Sequence, residues 1–141
     1  MKLKRTTADY WFSKCVRLRA NYICQGCGNK YEENSRALHC SHFFSRAKKA
    51  VRYDGNNAFA HCFYCHQMFG SNPYYFVQHY VDTYGKDLLS ILQEKSENMS
   101  LGKRAHKEKK EISKHYRCEA NKLIQIRESG NSEWIDFVSW D

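Results

Sequence analysis

The sequence predicts an α+β domain: a small core of two strands and a helix stapled by cysteines, with more helices before and after it. Three observations point there. Four of the seven cysteines form two Cys-x-x-Cys pairs, Cys24/Cys27 and Cys62/Cys65. The insert between the pairs carries two short strand signals, Ala37 to Phe44 and Ala58 to His61. Helix signals flank both sides, including Asn72-Pro73, where proline suits a first helical position. A chain of 141 residues has room for one domain plus a helical appendage. The expected division is 1–99 for the N-terminal helix, core and following helices, and 100–141 for a C-terminal helical extension with an acidic, Trp-containing tail.

Each element has a local reason. Thr6 or Thr7 can cap a helix running to about Ala20, with Asp9 in its first turn. Trp11, Cys15 and Leu18 form its apolar stripe, and Lys14, Arg17 and Arg19 lie off it, toward solvent or phosphate. Residues 22–36 read as a cysteine knuckle and polar loop. Residues 45–57 form a basic loop joining the strands. A helix starts within the second cysteine pair and carries His66. The next runs from Pro73 to near Gly85 with Phe76 and Tyr80 as core, and another spans Lys86 to Glu97. One long helix is expected from about Ser100 to Ser129, with Ile112, Tyr116, Ala120 and Leu123 on one face.

Composition narrows the function classes. At 42% hydrophobic and 15% aromatic, the chain is no disordered tail. Met1 to Arg5 is basic but no apolar run follows, so no secretory leader is expected. The longest uncharged run, residues 55–81, contains Asn, Gln and His and is no membrane span. A cytoplasmic location is expected, the host cytoplasm if a phage encodes it. The whole excess charge of +8 falls in residues 1–60, which favours a polyanion such as DNA as partner.

An odd cysteine count without a leader argues against a disulfide framework. Two Cys-x-x-Cys pairs suit a tetrahedral four-thiolate zinc site, with an iron–sulfur cluster as the rival. Gly26 and Gly28 permit the tight turn of the first pair. Cys15, Cys40 and Cys118 have no partner at ligand spacing and are expected to be small buried hydrophobes. Between the pairs, and just after them, come His42, Asn57 and His66. Asn57 stands five residues before Cys62, and His66 directly follows Cys65.

That order and spacing resembles the HNH nucleases, also called ββα-metal or His-Me finger nucleases. A closer resemblance is to the NinG (Rap) recombination endonuclease family known from phage lambda. It rests on Ser13-Lys14 with Arg17-Leu18-Arg19, on "LHCSHFFSR" (Leu38 to Arg46), on "VRYDGNN" (Val51 to Asn57) and on "ISKHYRCEANKL" (Ile112 to Leu123). It covers most of residues 10–125. It implies a zinc-stapled ββα-metal core in roughly residues 20–72 and a DNA endonuclease leaving 5′-phosphate and 3′-hydroxyl ends. It also implies branched recombination intermediates, such as D-loops and Holliday junctions, as substrates.

The chemistry suits those residues. His42 can deprotonate water near neutral pH. Asn57 can hold that imidazole or a nearby backbone group. His66 can ligate a divalent ion, Mg²⁺ or Mn²⁺, that stabilises the leaving oxygen. Many HNH proteins place an Asp or His ligand just before the base, but here that residue is Ser41. His39 is therefore expected to pair with His66, with Asp54 the alternative. Arg46, Lys48, Lys49 and Arg52 are the DNA-binding candidates, and Arg52 is also expected on the scissile phosphate. Lys103 to Lys110 either extends that footprint or is a solvated face. Rival functions are a nicking nuclease on ordinary duplex, a zinc-dependent DNA-binding module without catalysis, and a protein adaptor docking through Trp134 and Trp140. Both a monomer and a homodimer are compatible with the sequence.

Overall fold

The computed structural model describes residues 3–141. The first helix, α1 (Thr7–Arg19), begins at a capping box. Asp9 N–H donates to Thr6 Oγ1 (3.3 Å) and Thr6 N–H to Asp9 Oδ2 (2.7 Å), satisfying two otherwise orphan donors. Its buried face is wider than the expected stripe and includes Ala8, Phe12, Cys15 and Val16. Arg19 does not face outward: it is 1% exposed. Its Nη2 donates to the carbonyls of Gly55 and Ala58 (2.8 Å each) and to the Tyr84 hydroxyl (2.7 Å). Paired this way, a buried guanidinium is tolerated and welds α1 to the start of the second strand.

The strands β1 (Leu38–His42) and β2 (Ala58–Cys62) pair antiparallel, with His39 opposite His61 and His42 opposite Ala58. The loop between them contains short 3₁₀ turns at Lys49–Val51 and Gly55–Asn57. Strand β2 is buried along its whole length and runs directly into α2 (Phe63–Ser71), where Cys62 is the N-cap and its Sγ accepts from Cys65 N–H at 3.5 Å. Then come α3 (Pro73–Tyr84) and α4 (Lys86–Ser96), close to the expected bounds. On α3, Phe76 and Tyr80 are core, whereas Tyr74 and Tyr75 are exposed.

The expected long C-terminal helix is two, α5 (Met99–Lys107) and α6 (Lys109–Glu128), broken at Glu108. The reason is that their buried faces serve different partners. Leu101, Gly102 and Ala105 bury α5 over the Lys49–Val51 turn, and Gly102 comes so close that a Cβ there would lie 3.4 Å from Ala50 N. Ile112, Tyr116, Ala120 and Leu123 bury α6 against α1. Residues 130–141, outside any helix or strand, return across the core. Phe137 is buried beside Phe12 and Tyr116, Ser139 Oγ accepts from Gly55 N–H (2.9 Å), and Trp140 N–H donates to the Tyr116 hydroxyl (3.0 Å). Residues 100–141 thus share one core with α1. Cys15 is buried as expected and Cys40 half-buried, but Cys118 is exposed on α6. Among the described residues, no helix is long and apolar enough to cross a membrane.

Candidate active site

Cys24, Cys27, Cys62 and Cys65 come together, with their sulfurs all within 4.8 Å of one another. The Cys27 and Cys62 sulfurs are 3.8 Å apart. Tetrahedral zinc with bonds of about 2.3 Å spaces its sulfurs by about 3.8 Å, so the donor set fits that ion. The first knuckle requires Gly26, because a Cβ there would lie 2.8 Å from Cys65 Sγ. Gly28 follows at φ +80°, a conformation glycine adopts without strain. Backbone N–H groups of Gly26 and Cys62 donate to Cys24 Sγ at 3.3 and 3.2 Å. Burial and the neighbouring sulfurs push the Cys65 thiol up, whereas at Cys62 burial is outweighed by hydrogen bonds from Cys65 N–H and Tyr31, which bring the thiol down to about 7.

On β1 and α2, Nδ1 of His39 lies 3.0 Å from Nδ1 of His66. The other nitrogen of His39, Nε2, donates to the Arg36 carbonyl at 3.0 Å. A carbonyl only accepts, so the neutral ring carries its proton on Nε2 and presents a lone pair at Nδ1. This carbonyl-oriented tautomer is the one a metal-binding histidine uses. Burial, then His39 and Arg5, hold His66 below the usual histidine range. The two histidines paired in the sequence analysis are therefore in contact, His66 Nδ1–H donating to the His39 Nδ1 lone pair, a proton that a shared ion would have to replace. Asp54 is not part of the pair. Its carboxylate accepts from Asn56 N–H (2.8 Å) and from Lys95 Nζ (2.7 Å), because it caps the second 3₁₀ turn and anchors α4.

His42 obeys the same tautomer logic. Its Nε2 donates to the Arg52 carbonyl at 2.9 Å, leaving Nδ1 as the free acceptor. Burial, reinforced by the positive charge of Arg46 and opposed by that carbonyl, brings its pKa down to about 4. The ring is consequently neutral at pH 7, with its Nδ1 lone pair available, though it is a weaker base than a free imidazole. Asn57 does not touch the imidazole. It donates to the carbonyls of Phe44 (2.9 Å) and Val51 (3.0 Å) and accepts from Phe44 N–H (2.7 Å). It thus fixes both ends of the loop that carries Arg52.

The Arg52 side chain departs from expectation. It is 8% exposed and forks onto Asp9 at 2.6 and 3.0 Å, with a further bond to the Lys4 carbonyl. Its Nε and Nη2 are committed to Asp9 and Lys4, Arg52 is not among the residues lining the His42 cavity, and what it offers the site is its backbone carbonyl. Burial alone would raise the Asp9 carboxyl, but Arg52 and Thr6 outweigh it and hold it below the usual range.

A cavity of about 250 Å³ is lined by His42 and His66 together with Arg5, Ser45 and Arg46. Arg46 Nη1 is buried there with no hydrogen-bond partner. Lys48 and Lys49 are not brought to this cavity. They are exposed and line a separate hollow against α5. Adjoining the His42 cavity, and sharing Arg5, Ser13, Cys40 and His66 with it, is a larger one of about 430 Å³. Its walls carry Lys14, Arg17 and Arg36, of which Arg36 went unrecognised in the sequence, as did Arg5. The available signal was helical spacing: Tyr10, Ser13, Lys14 and Arg17 share one face of α1. No family model, curated protein or solved structure matches the chain.

Proposed function

We propose that the protein is a metal-dependent DNA endonuclease of the HNH type with a structural zinc ion on Cys24, Cys27, Cys62 and Cys65. The observation that carries the reading is one basic cavity lined by both His42 and His66, with the His42 Nδ1 lone pair left free. His42 takes a proton from water through Nδ1 as the oxygen attacks phosphorus in line. The P–O3′ bond breaks, giving a 5′-phosphate and a 3′-hydroxyl. Arg46, a cation lining the same cavity, stabilises the negative charge on the phosphoryl oxygens. His39 and His66 would hold a divalent ion, whose Lewis acidity would stabilise the leaving oxygen. Imidazole ligands favour manganese over magnesium. Asn57 keeps the Arg52 carbonyl at the height that orients His42.

The sequence resemblance extends the proposal to branched recombination intermediates. Cleavage of linear, nicked, D-loop and four-way junction DNA is the test, each titrated with Mn²⁺ or Mg²⁺. His39→Ala and His66→Ala are expected to raise the half-saturating Mn²⁺ concentration at least tenfold, and Asp54→Ala to leave it unchanged in whatever protein folds. Equal metal dependence in all variants contradicts the ligand assignment. No cleavage of any DNA by the wild-type protein contradicts the function.

A further inference from the structure

The larger cavity beside His39 and His66 has a feature that phosphate binding does not use. Tyr10 lines it with its side chain in the open, 54% exposed. An exposed tyrosine on a helix is ordinary alone, but this ring packs edge-on against its neighbour Trp11. It stands at 87° to Trp11, centroid to centroid 5.1 Å. Trp11 is itself flanked by Lys14 Nζ and the Arg117 guanidinium, each 5.8 Å from its ring centre. One wall of the cavity is thus the α1 face with Tyr10, Lys14 and Arg17, and Arg36 stands among the residues facing it. A concavity of about 430 Å³ has the size of a small-ligand pocket, room for a nucleotide and far too little for a double helix. Cations for the backbone plus an aromatic ring for the base is the combination by which proteins hold unpaired nucleotides.

We infer that this cavity receives a nucleotide whose base is unpaired, stacked on Tyr10, next to the phosphate presented to His42 and His66. The preferred substrate is therefore DNA with a single-stranded or extrahelical nucleotide at the cut, rather than continuous duplex. The inference rests on the nuclease reading in taking DNA as the polymer and the histidines as the reacting end. Tyr10 acts in specificity, not in the chemical step.

The test measures binding in Ca²⁺ with two oligonucleotide probes. One carries 2-aminopurine as an unpaired nucleotide in a bulge, and the other carries it in a matched duplex. Quenching of the fluorophore reports stacking. The wild-type protein is expected to quench the bulged probe and to bind it tighter than the matched one. Tyr10→Ala, an exposed position, should weaken binding to the bulged probe about tenfold and to the duplex less than about twofold. Tyr10→Phe should keep both the affinity and the quenching. Equal losses on the two probes, or no loss on either, overturn the inference. If the Tyr10-dependent preference is present but neither probe nor a D-loop or four-way junction is cut in Mn²⁺, the binding inference stands and the nuclease reading falls. If both are cut equally with no preference, the reverse holds.

Discussion

Arg52 and His42 illustrate how a residue's neighbours decide its role. From the sequence, Arg52 is one more cation in a basic loop. Folded, its guanidinium closes a buried ion pair with Asp9 while its carbonyl orients His42. Breaking a buried pair strands the remaining charge, so Arg52→Ala should cost about 3 kcal/mol or more in urea unfolding. Arg52→Lys should recover part of that loss, since a lysine cannot fork onto both Asp9 oxygens. A variant of wild-type stability would show that Asp9 is satisfied some other way. His61 supplies a pH prediction. It is fully buried, with Nε2 2.9 Å from Nε2 of His79, and burial, then His79 and His66, bring its pKa down to about 3. An unfolded histidine titrates near 6.5. Between those values the unfolded chain binds one more proton than the folded one. This stability is thus complete above pH 6.5 and falls as pH drops through the window, by about 1.4 kcal/mol per pH unit. His61→Phe, which can stack between Phe59 and Phe69, should remove His61's share of that dependence and leave the share of the buried His42. Parallel stability–pH curves for variant and wild type would contradict it.

Among elements, the legible ones had a local signal. The capping residue Thr6 with Asp9, Asn72-Pro73 and Gly85 mark helix ends chemically, and the cysteine pairs mark the turn and the start of α2. The break between α5 and α6 had no such mark. No proline or glycine stands at Glu108, and the chain turns there because two faces bury against two different partners. Tertiary packing of that kind is invisible to local periodicity. The cysteine site was legible for the opposite reason: ligand spacing is a short-range constraint. Gly26 sharpens it. Gly26→Ala must push Cys65 Sγ aside, so purified variant should hold markedly less zinc than the one ion per chain expected of the wild type. Full zinc occupancy in Gly26→Ala would mean the knuckle has slack. The sequence leaves the role of the C-terminal segment open, with docking through Trp134 and Trp140 as one rival; folded, Phe137 is core and Ser139 and Trp140 bind the strand-joining loop and α6. Phe137→Ala is expected to lose about 3–5 kcal/mol of stability, measured by denaturant melting.

At the scale of the whole molecule, charge and shape coincide on one side. The basic excess read from residues 1–60 was placed on the strand-joining loop. The fold instead gathers Arg5, Lys14, Arg17, Arg36 and Arg46 around the histidines and points Lys48 and Lys49 elsewhere. His42 and His66 were legible from their order and spacing around the cysteines, and His39 from strand alternation. Lys14, Arg17 and Arg46 were legible as candidate phosphate contacts, but Arg5 and Arg36 were not, because α1 and the loop before β1 meet only in the folded state. Replacing Lys14 and Arg17 with Gln should make the slope of log affinity against log salt shallower by roughly two units, if both contact phosphate. Replacing Lys48 and Lys49 should change it little. The reverse ranking would move the DNA surface to the α5 side.

In the proposed function, His42 is the base of a phosphodiester hydrolysis. The most direct test of that role is single-turnover cleavage of an end-labelled four-way junction in Mn²⁺ by wild-type and His42→Ala protein, each with a full zinc complement. General-base catalysis contributes about 10²–10⁴-fold, so the variant's rate should fall by that factor while its affinity in Ca²⁺ stays within about twofold. Cleavage by His42→Ala at the wild-type rate would contradict the account.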